Sequence, residues 1–412
     1  MKNKLLPFCL LLTSFYCYAQ DSLRTATEAT YRAGLPHFFA KVRQGQAVNI
    51  AYLGGSITRA GGGWRDQTFR WFQQQYPAVS ATEIMAAIGG TGSDFGAYRV
   101  GAHVLQHKPD LVFVEFAVND QGKPAQAIQE SMEGIVRQIR QNNANTDICF
   151  VYTFSKPQLE VYQRGQFPVS VSAMEAVADH YQLPSVFMGF PAVQQVIGGQ
   201  MVMQGKVKDS PSTPIFSEDG VHPLNETGQK IYAETLEKHL TALAAVGKPT
   251  KRRLEKPLMV NNLENATMLS IDKTERSAGW QAIDSVTVGK PYAAFLPKVY
   301  ATTDTTDYLR FRVTGNSFGI VDVVGPNSGQ IVVRIDNDRP RYIDRFDVYC
   351  TYYRMHYSLI SGLSPGEHQV EIRVSPAQLD KATILRKRNN TISNPGLYDK
   401  NAFFIGSILL RK

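Results

Sequence analysis

Val48–Thr58 reads VNIAYLGGSIT: a run of apolar and β-branched residues drives into two glycines, and Ser56 follows at once. An unbroken apolar run of strand length is the pattern of a strand covered on both faces, as in a parallel sheet. The glycines that end it can adopt backbone conformations closed to other residues and let a ligand approach closely. Working outward, the pattern recurs in TEIMAAIGG (82–90), LVFVEFAVND (111–120), ICFVYTF (148–154) and SVFMGF (185–190). Helical patterns separate these runs, at 66–76, 95–107, 125–141 and 170–181, and NETGQKIYAETLEKHLTALAA (225–245) closes the unit. Strand and helix in alternation predict a three-layer, doubly wound α/β domain on a five-stranded parallel sheet. Ligands in such sheets sit beyond the carboxyl ends of the strands, and three of these strands end in GGS, GGTGS and AVND.

A chain of 412 residues is too long for one core, because single cores stop growing at roughly 250 to 300 residues. The second unit follows KPTKRRLEKP (248–257), a charged, proline-flanked stretch that reads as a linker. Beyond it the period changes to two. YLRFRVTG (308–315) sets Leu309, Phe311 and Val313 against Arg310 and Arg312, and HQVEIRV (368–374) alternates in the same way. Turn signals at 325–329 and 364–368 separate the runs, and NAFFIGSILLRK ends the chain. These features predict an all-β, jelly-roll-like sandwich over residues 258–412.

The first residues, MKNKLLPFCLLLTSFYCYAQ, place two lysines before an apolar run from Leu5 to Leu12 and small or polar residues after it. This predicts a signal peptide over residues 1–19, a first domain over 20–247, and an exported protein. The apolar run is shorter than the about 20 residues a spanning helix needs, and no later segment is apolar enough to span. Loss of the leader removes Cys9 and Cys17 and leaves Cys149 and Cys350, which do not make a disulfide framework and read as buried thiols. The formal net charge of +8 lies partly in the linker, with no interleaved aromatic residue and no nucleic-acid motif, which argues against nucleic-acid binding.

A serine hydroxyl is a poor nucleophile without a positioned base and a third group to orient that base. EDGVHPLNETG supplies the pair, with Asp219 three residues before His222, a spacing that lets both side chains meet on one tight turn. Asp219 would then fix the imidazole tautomer and leave the other nitrogen free to take the Ser56 proton. The α/β-hydrolase elbow G-x-S-x-G is not met, because Thr58 stands at its second glycine. His103 and His107 are four apart on a predicted helix, a zinc-site spacing, but lack the glutamate of H-E-x-x-H and read as a solvated helix face. Arg65, Asp66 and Arg99 lie near these blocks, either as substrate contacts or as ion pairs.

Taken together, GGSIT with Ser56, AIGGTGS with Gly90, FAVND with Asn119 and DGVHP with Asp219 and His222 resemble the four ordered blocks of the SGNH hydrolases, the GDSL esterase and lipase superfamily. The resemblance covers roughly residues 22–246 and implies a flavodoxin-like sheet. It implies Ser56 as nucleophile, His222 as base and later acid, and Asp219 as its orienter. Oxyanion donors would be the backbone of Ser56, the backbone of Gly90 and the side chain of Asn119, with Gly92 an alternative to Gly90. No cofactor or metal is implied. Two positions depart from the family pattern: Gly55 stands for the aspartate of GDS and Ala117 for the glycine of GxND. The leader and appended sandwich are similar to those of secreted bacterial carbohydrate acetylesterases, which implies acylated carbohydrate as substrate. The alternatives are a lipase, and a glycan-binding protein on an inactive SGNH fold.

Overall fold

The computed structural model describes residues 23–209, 212–284 and 292–411, so the expected leader lies outside the described residues. The first domain is built on six strands: β1 (Ala29–Thr30), β2 (Val48–Gly54), β3 (Ala81–Ala87), β4 (Leu111–Glu115), β5 (Asp147–Tyr152) and β6 (Ser185–Phe187). Their order is β1-β6-β5-β4-β2-β3. The five expected strands are parallel, and β1 adds an antiparallel edge through Ala29 opposite Val186 and Thr30 opposite Ser185. Two residues are too short a run to carry a period, so this sixth strand had no readable signal. Strands β4 and β5 are buried along their whole length, as their unbroken apolar runs require.

Helices α1 (Pro36–Arg43), α2 (Ser56–Arg59), α3 (Trp64–Gln75), α4 (Ser93–His103), α5 (Ala125–Asn142), α6 (Leu159–Gln163), α7 (Val169–Tyr181), α8 (Phe190–Ile197) and α9 (Lys230–Leu243) complete this domain. The series α4, α5, α7 packs side by side, and α3 packs on α9. The strand order places β2 between β3 and β4, so the chain leaves β2 to one side and returns on the other. That reversal opens a crevice at the carboxyl ends of β2 and β4, where ligands bind in open α/β sheets. A small parallel pair, β7 (Val202–Gln204) and β8 (Ile215–Ser217), leads into the turn that carries His222.

The second domain comprises β9 (Ala266–Ser270), β10 (Glu275–Arg276), β11 (Gln281–Ile283), β12 (Val299–Thr302), β13 (Leu309–Thr314), β14 (Ser317–Val324), β15 (Gln330–Ile335), β16 (Arg341–Asp344), β17 (Arg354–Ser361), β18 (Glu367–Val374) and β19 (Phe403–Arg411). One antiparallel sheet runs β10-β13-β18-β15-β16 and the other β11-β12-β19-β14-β17, with β9 also on β19. Between the sheets lies a core that includes Leu309, Val333 and Ile372 from the first and Phe318, Ile320 and Ile405 from the second.

The second sheet has two buried faces. Phe318 and Ile320 of β14 point into the sandwich, whereas Val321 and Val323 join the apolar cluster of the α/β domain, together with Met355, Phe404 and Leu409. The two domains therefore share one continuous core. The segment 248–257 is pinned as well: Arg252 pairs with buried Asp147 at 2.6 Å, and the carbonyl of Glu255 accepts from Arg137 at 2.7 Å. Just beyond it, the Met259 N–H donates to buried Glu133 at 2.7 Å. His103 is not on a solvated face. It is buried under Phe295 of the second domain, bonds the Phe295 carbonyl at 3.2 Å, and desolvation pulls its pKa down to about 3. Cys149 and Cys350 are free buried thiols.

Candidate active site

The turn after β2 sets Ser56 at the start of α2, where the first N–H groups of a helix have no intrahelical acceptor. The turn is held from below by Glu115, the last residue of β4. Its fully buried carboxylate accepts from the hydroxyls of Thr58 at 2.8 Å and Thr153 at 2.7 Å and from the Gly55 N–H. Burial pushes this carboxyl up, against those three donors. Glu115 thus ties the ends of β2, β4 and β5 together. A charged residue inside the apolar run LVFVEF was the signal that could have marked it.

Ser56 Oγ lies 2.8 Å from His222 Nε2, and His222 Nδ1 lies 2.7 Å from Asp219 Oδ2. Asp219 Oδ1 accepts from the N–H groups of Val221 and His222, both at 2.8 Å, and from the Ser217 hydroxyl at 3.0 Å. Desolvation alone would raise the Asp219 carboxyl, but the His222 ring and these donors hold it well below the usual carboxylate range. With Asp219 ionised, Nδ1 carries the proton it donates, and Nε2 is left to accept from Ser56. The turn is fixed to the Ser56 side by the residues after it. Asn225 Nδ2 donates to the Gly61 carbonyl at 3.0 Å, and Gln229 accepts from the Trp64 N–H at 3.0 Å while donating to the Ile57 carbonyl at 3.3 Å. Residues 225–229 form a π-helical turn before α9, a distortion frequent at functional sites.

Asn119 follows β4, and its side-chain amide lies against Gly55, so that a Cβ at position 55 would overlap it. The glycine standing in place of the family's aspartate therefore makes room for Asn119 in this chain. Gly89 also adjoins Ser56: a Cβ there would sit 3.6 Å from the serine Cβ. Gly90, with φ of +72°, has open space around it. A Cβ on Gly92 would instead run into Asp120 and Lys123, behind the site. Of the two glycines left open by the sequence, Gly90 is the one on the open side.

The other charged residues near these blocks are structural. Arg65 pairs with Asp66 and Glu83 and donates to the Thr58 carbonyl at 3.1 Å. Arg99 is fully buried and donates to the carbonyls of Ala86, one residue before the end of β3, and Gly54, the last residue of β2, and burial pulls its pKa down to about 9. It is a clamp beneath the two strand ends rather than a surface contact.

The profile of the GDSL-like lipase/acylhydrolase family matches residues 52–231, a span containing all five predicted site residues. Residues 52–231 are a GDSL-like lipase/acylhydrolase domain. A two-domain esterase active on acetylated mannans, crystallised with mannopentaose, superposes on this chain with a TM-score of 0.72 at 20% identity, over 93% of this chain and 97% of its own. A second structure of a two-domain esterase active on acetylated mannans gives a TM-score of 0.70 at 19% identity with the same coverage. At that identity the likeness establishes the shared fold, an α/β domain followed by an all-β domain. Among curated proteins none matches the chain.

Proposed function

We propose that this GDSL-like chain is an exported serine esterase that removes O-acetyl groups from carbohydrate, with residues 20–247 as the hydrolase domain and 258–412 as a packed accessory domain joined by 248–257. The observation that carries the catalytic reading is the bond chain Ser56 Oγ, His222 Nε2, His222 Nδ1, Asp219 Oδ2, beside which Asn119 lies against Gly55 and Gly89 adjoins Ser56. His222 takes the Ser56 proton as Oγ attacks the acetyl carbonyl. The resulting oxyanion accepts from the Ser56 and Gly90 N–H groups and the Asn119 amide. Collapse breaks the bond to the sugar oxygen, which takes the proton from His222 and leaves as a hydroxyl, and an acetyl-serine remains. Water, deprotonated by His222, then attacks that ester and releases acetate and free Ser56. The carbohydrate assignment draws on the two-domain esterases active on acetylated mannans, whose two-domain architecture this chain shares over 93% of its length. Among the described residues no helix is long and apolar enough to cross a membrane.

The test is acetate release from acetylated mannan and acetylated xylan, with Ser56→Ala as control. Wild-type protein releases acetate, and Ser56→Ala loses at least ~10³-fold in turnover, since nucleophile and base act as a unit. Undiminished release by purified Ser56→Ala would overturn the catalytic assignment. Faster cleavage of long-chain acyl esters than of acetyl esters would turn the reading toward lipid.

A further inference from the structure

The loops that carry Gly90 and Asn119 are bound to each other behind the site by a compact ion cluster. Lys123 lies 2.9 Å from Asp120, the residue after Asn119, and 2.9 Å from Asp94, in the first turn of α4 just past the Gly90 loop. The Asp120 side chain is fully buried, and its Oδ1 also accepts from the Ser93 N–H at 3.0 Å. Desolvation opposes the charge on Lys123, but its two carboxylates more than compensate and hold its ammonium above the usual lysine range. Gly92 packs against the cluster, and any side chain there would displace Asp120 and Lys123.

The β-sandwich also reaches this cluster. Tyr357, on β17, donates its hydroxyl to Asp94 Oδ1 at 3.0 Å, and its ring stacks on Phe95 with centroids 4.6 Å apart and planes 13° apart. Around it the domain contact is made by apolar side chains such as Val321, Val323, Met355 and Phe404. A phenol in such surroundings is costly unless its hydroxyl is bonded, and burial raises its pKa, so it remains a protonated donor.

We propose that Tyr357 is a positioning residue for the oxyanion side of the site: through Asp94, Lys123 and Asp120 it fixes the loops that carry Gly90 and Asn119, and so makes the β-sandwich part of the catalytic apparatus. This rests on the esterase reading above, and it assigns the second domain a role in turnover apart from any grip on polymer. The physical ground is that oxyanion donors contribute most when they need no reorganisation as charge develops, so misplacement of a loop lowers turnover without loosening substrate.

Tyr357→Phe in the full chain keeps the ring and its stacking and removes only the hydroxyl. On a small acetyl ester its kcat should fall about tenfold with KM within about twofold, a partial misplacement well short of the ~10²-fold that a full 1 Å error costs. Affinity for a boronic acid that forms a tetrahedral adduct on Ser56 should fall in the same proportion. The Tyr357 hydroxyl also has a bond from the Gly92 backbone, but in the double variant with Asp94→Asn the effects should still be less than additive, because the two residues share the Tyr357–Asp94 bond. A Tyr357→Phe protein with lowered Tm but wild-type kcat and boronate affinity would reduce the contact to interdomain packing and overturn the proposal. A fall in kcat with additive effects in the double variant would overturn the route through Asp94. Failure of the esterase reading itself is distinguishable, since it would appear as full turnover in Ser56→Ala.

Discussion

The two sides of the crevice are held in opposite ways. The base side is a single exposed turn: the side chains of Asp219 and His222 are 56% and 51% exposed, and the bonds on Asp219 come from its own turn. The oxyanion side is braced in depth by Glu115 and Arg99 beneath the strand ends, by the buried Asp120 with Lys123 and Asp94, and by Tyr357 from another domain. The chemistry explains the difference. On the proposed mechanism deacylation needs water at His222 Nε2, so the base must face solvent, whereas donors to a developing oxyanion must already be in place.

The harshest way to break that comparison is to remove the brace. A chain ending near Gly247 keeps all five site residues but uncovers α4, against which β9 packs, and it loses the Tyr357 bond. It should be insoluble, or should lose activity on small and polymeric substrates together. Calorimetry of the full chain should show one cooperative transition. Two independent transitions, with a soluble and fully active truncated form, would mean that the oxyanion side stands without the sandwich.

Substitutions within each side sharpen the comparison. Asp219→Asn leaves the turn but fixes the wrong tautomer on His222, and kcat should fall by ~10³- to 10⁴-fold. Asn119→Ala removes one oxyanion donor and should lower kcat by ~10²- to 10³-fold with little change in KM. Their pH profiles should differ too: Asn119→Ala keeps the wild-type shape, since the base is untouched, while Asp219→Asn alters it. An effect of Asn119→Ala confined to KM would make that side chain a substrate contact.

The legible and illegible parts of the sequence divide along the same line. The pairing of Asp219 with His222 could be read because a turn is local: DGVHP brings both groups together within a few residues, whereas Ser56 meets His222 across 166 residues. The five parallel strands could be read because burial on both faces leaves an unbroken apolar run. The brace could not. Lys123, Asp94 and Tyr357 are joined across 263 residues of sequence separation, and nothing in each residue's neighbours announces the others. His103 was misread for the same reason, since the residue that buries it lies in the other domain. One signal was present: FFIGSILL is apolar at successive positions while YLRFRVTG alternates, which separates a strand covered on both faces from one with a wet face.

The smallest effect expected is on stability, and it isolates the charge of Asp219. Its carboxyl is held well below the ordinary range: desolvation raises it, but the bonds from the His222 ring, the N–H groups of His222 and Val221, and the Ser217 hydroxyl outweigh that. A carboxyl depressed in the folded state contributes stability that is fully present above its unfolded pKa of about 3.9 and is lost as pH falls through the folded value. More than half of the side chain faces water, so screening keeps the contribution modest. Wild-type protein should therefore unfold slightly above Asp219→Asn at pH 7 and equally so at pH 5, and the gap should narrow only below about pH 4. Paired calorimetric scans at those pH values measure it. A gap that closes already between pH 7 and pH 5 would show that the carboxylate is not held down by its turn, and the exposed side of the crevice would then lack the anchored orienter that the bond chain to Ser56 requires.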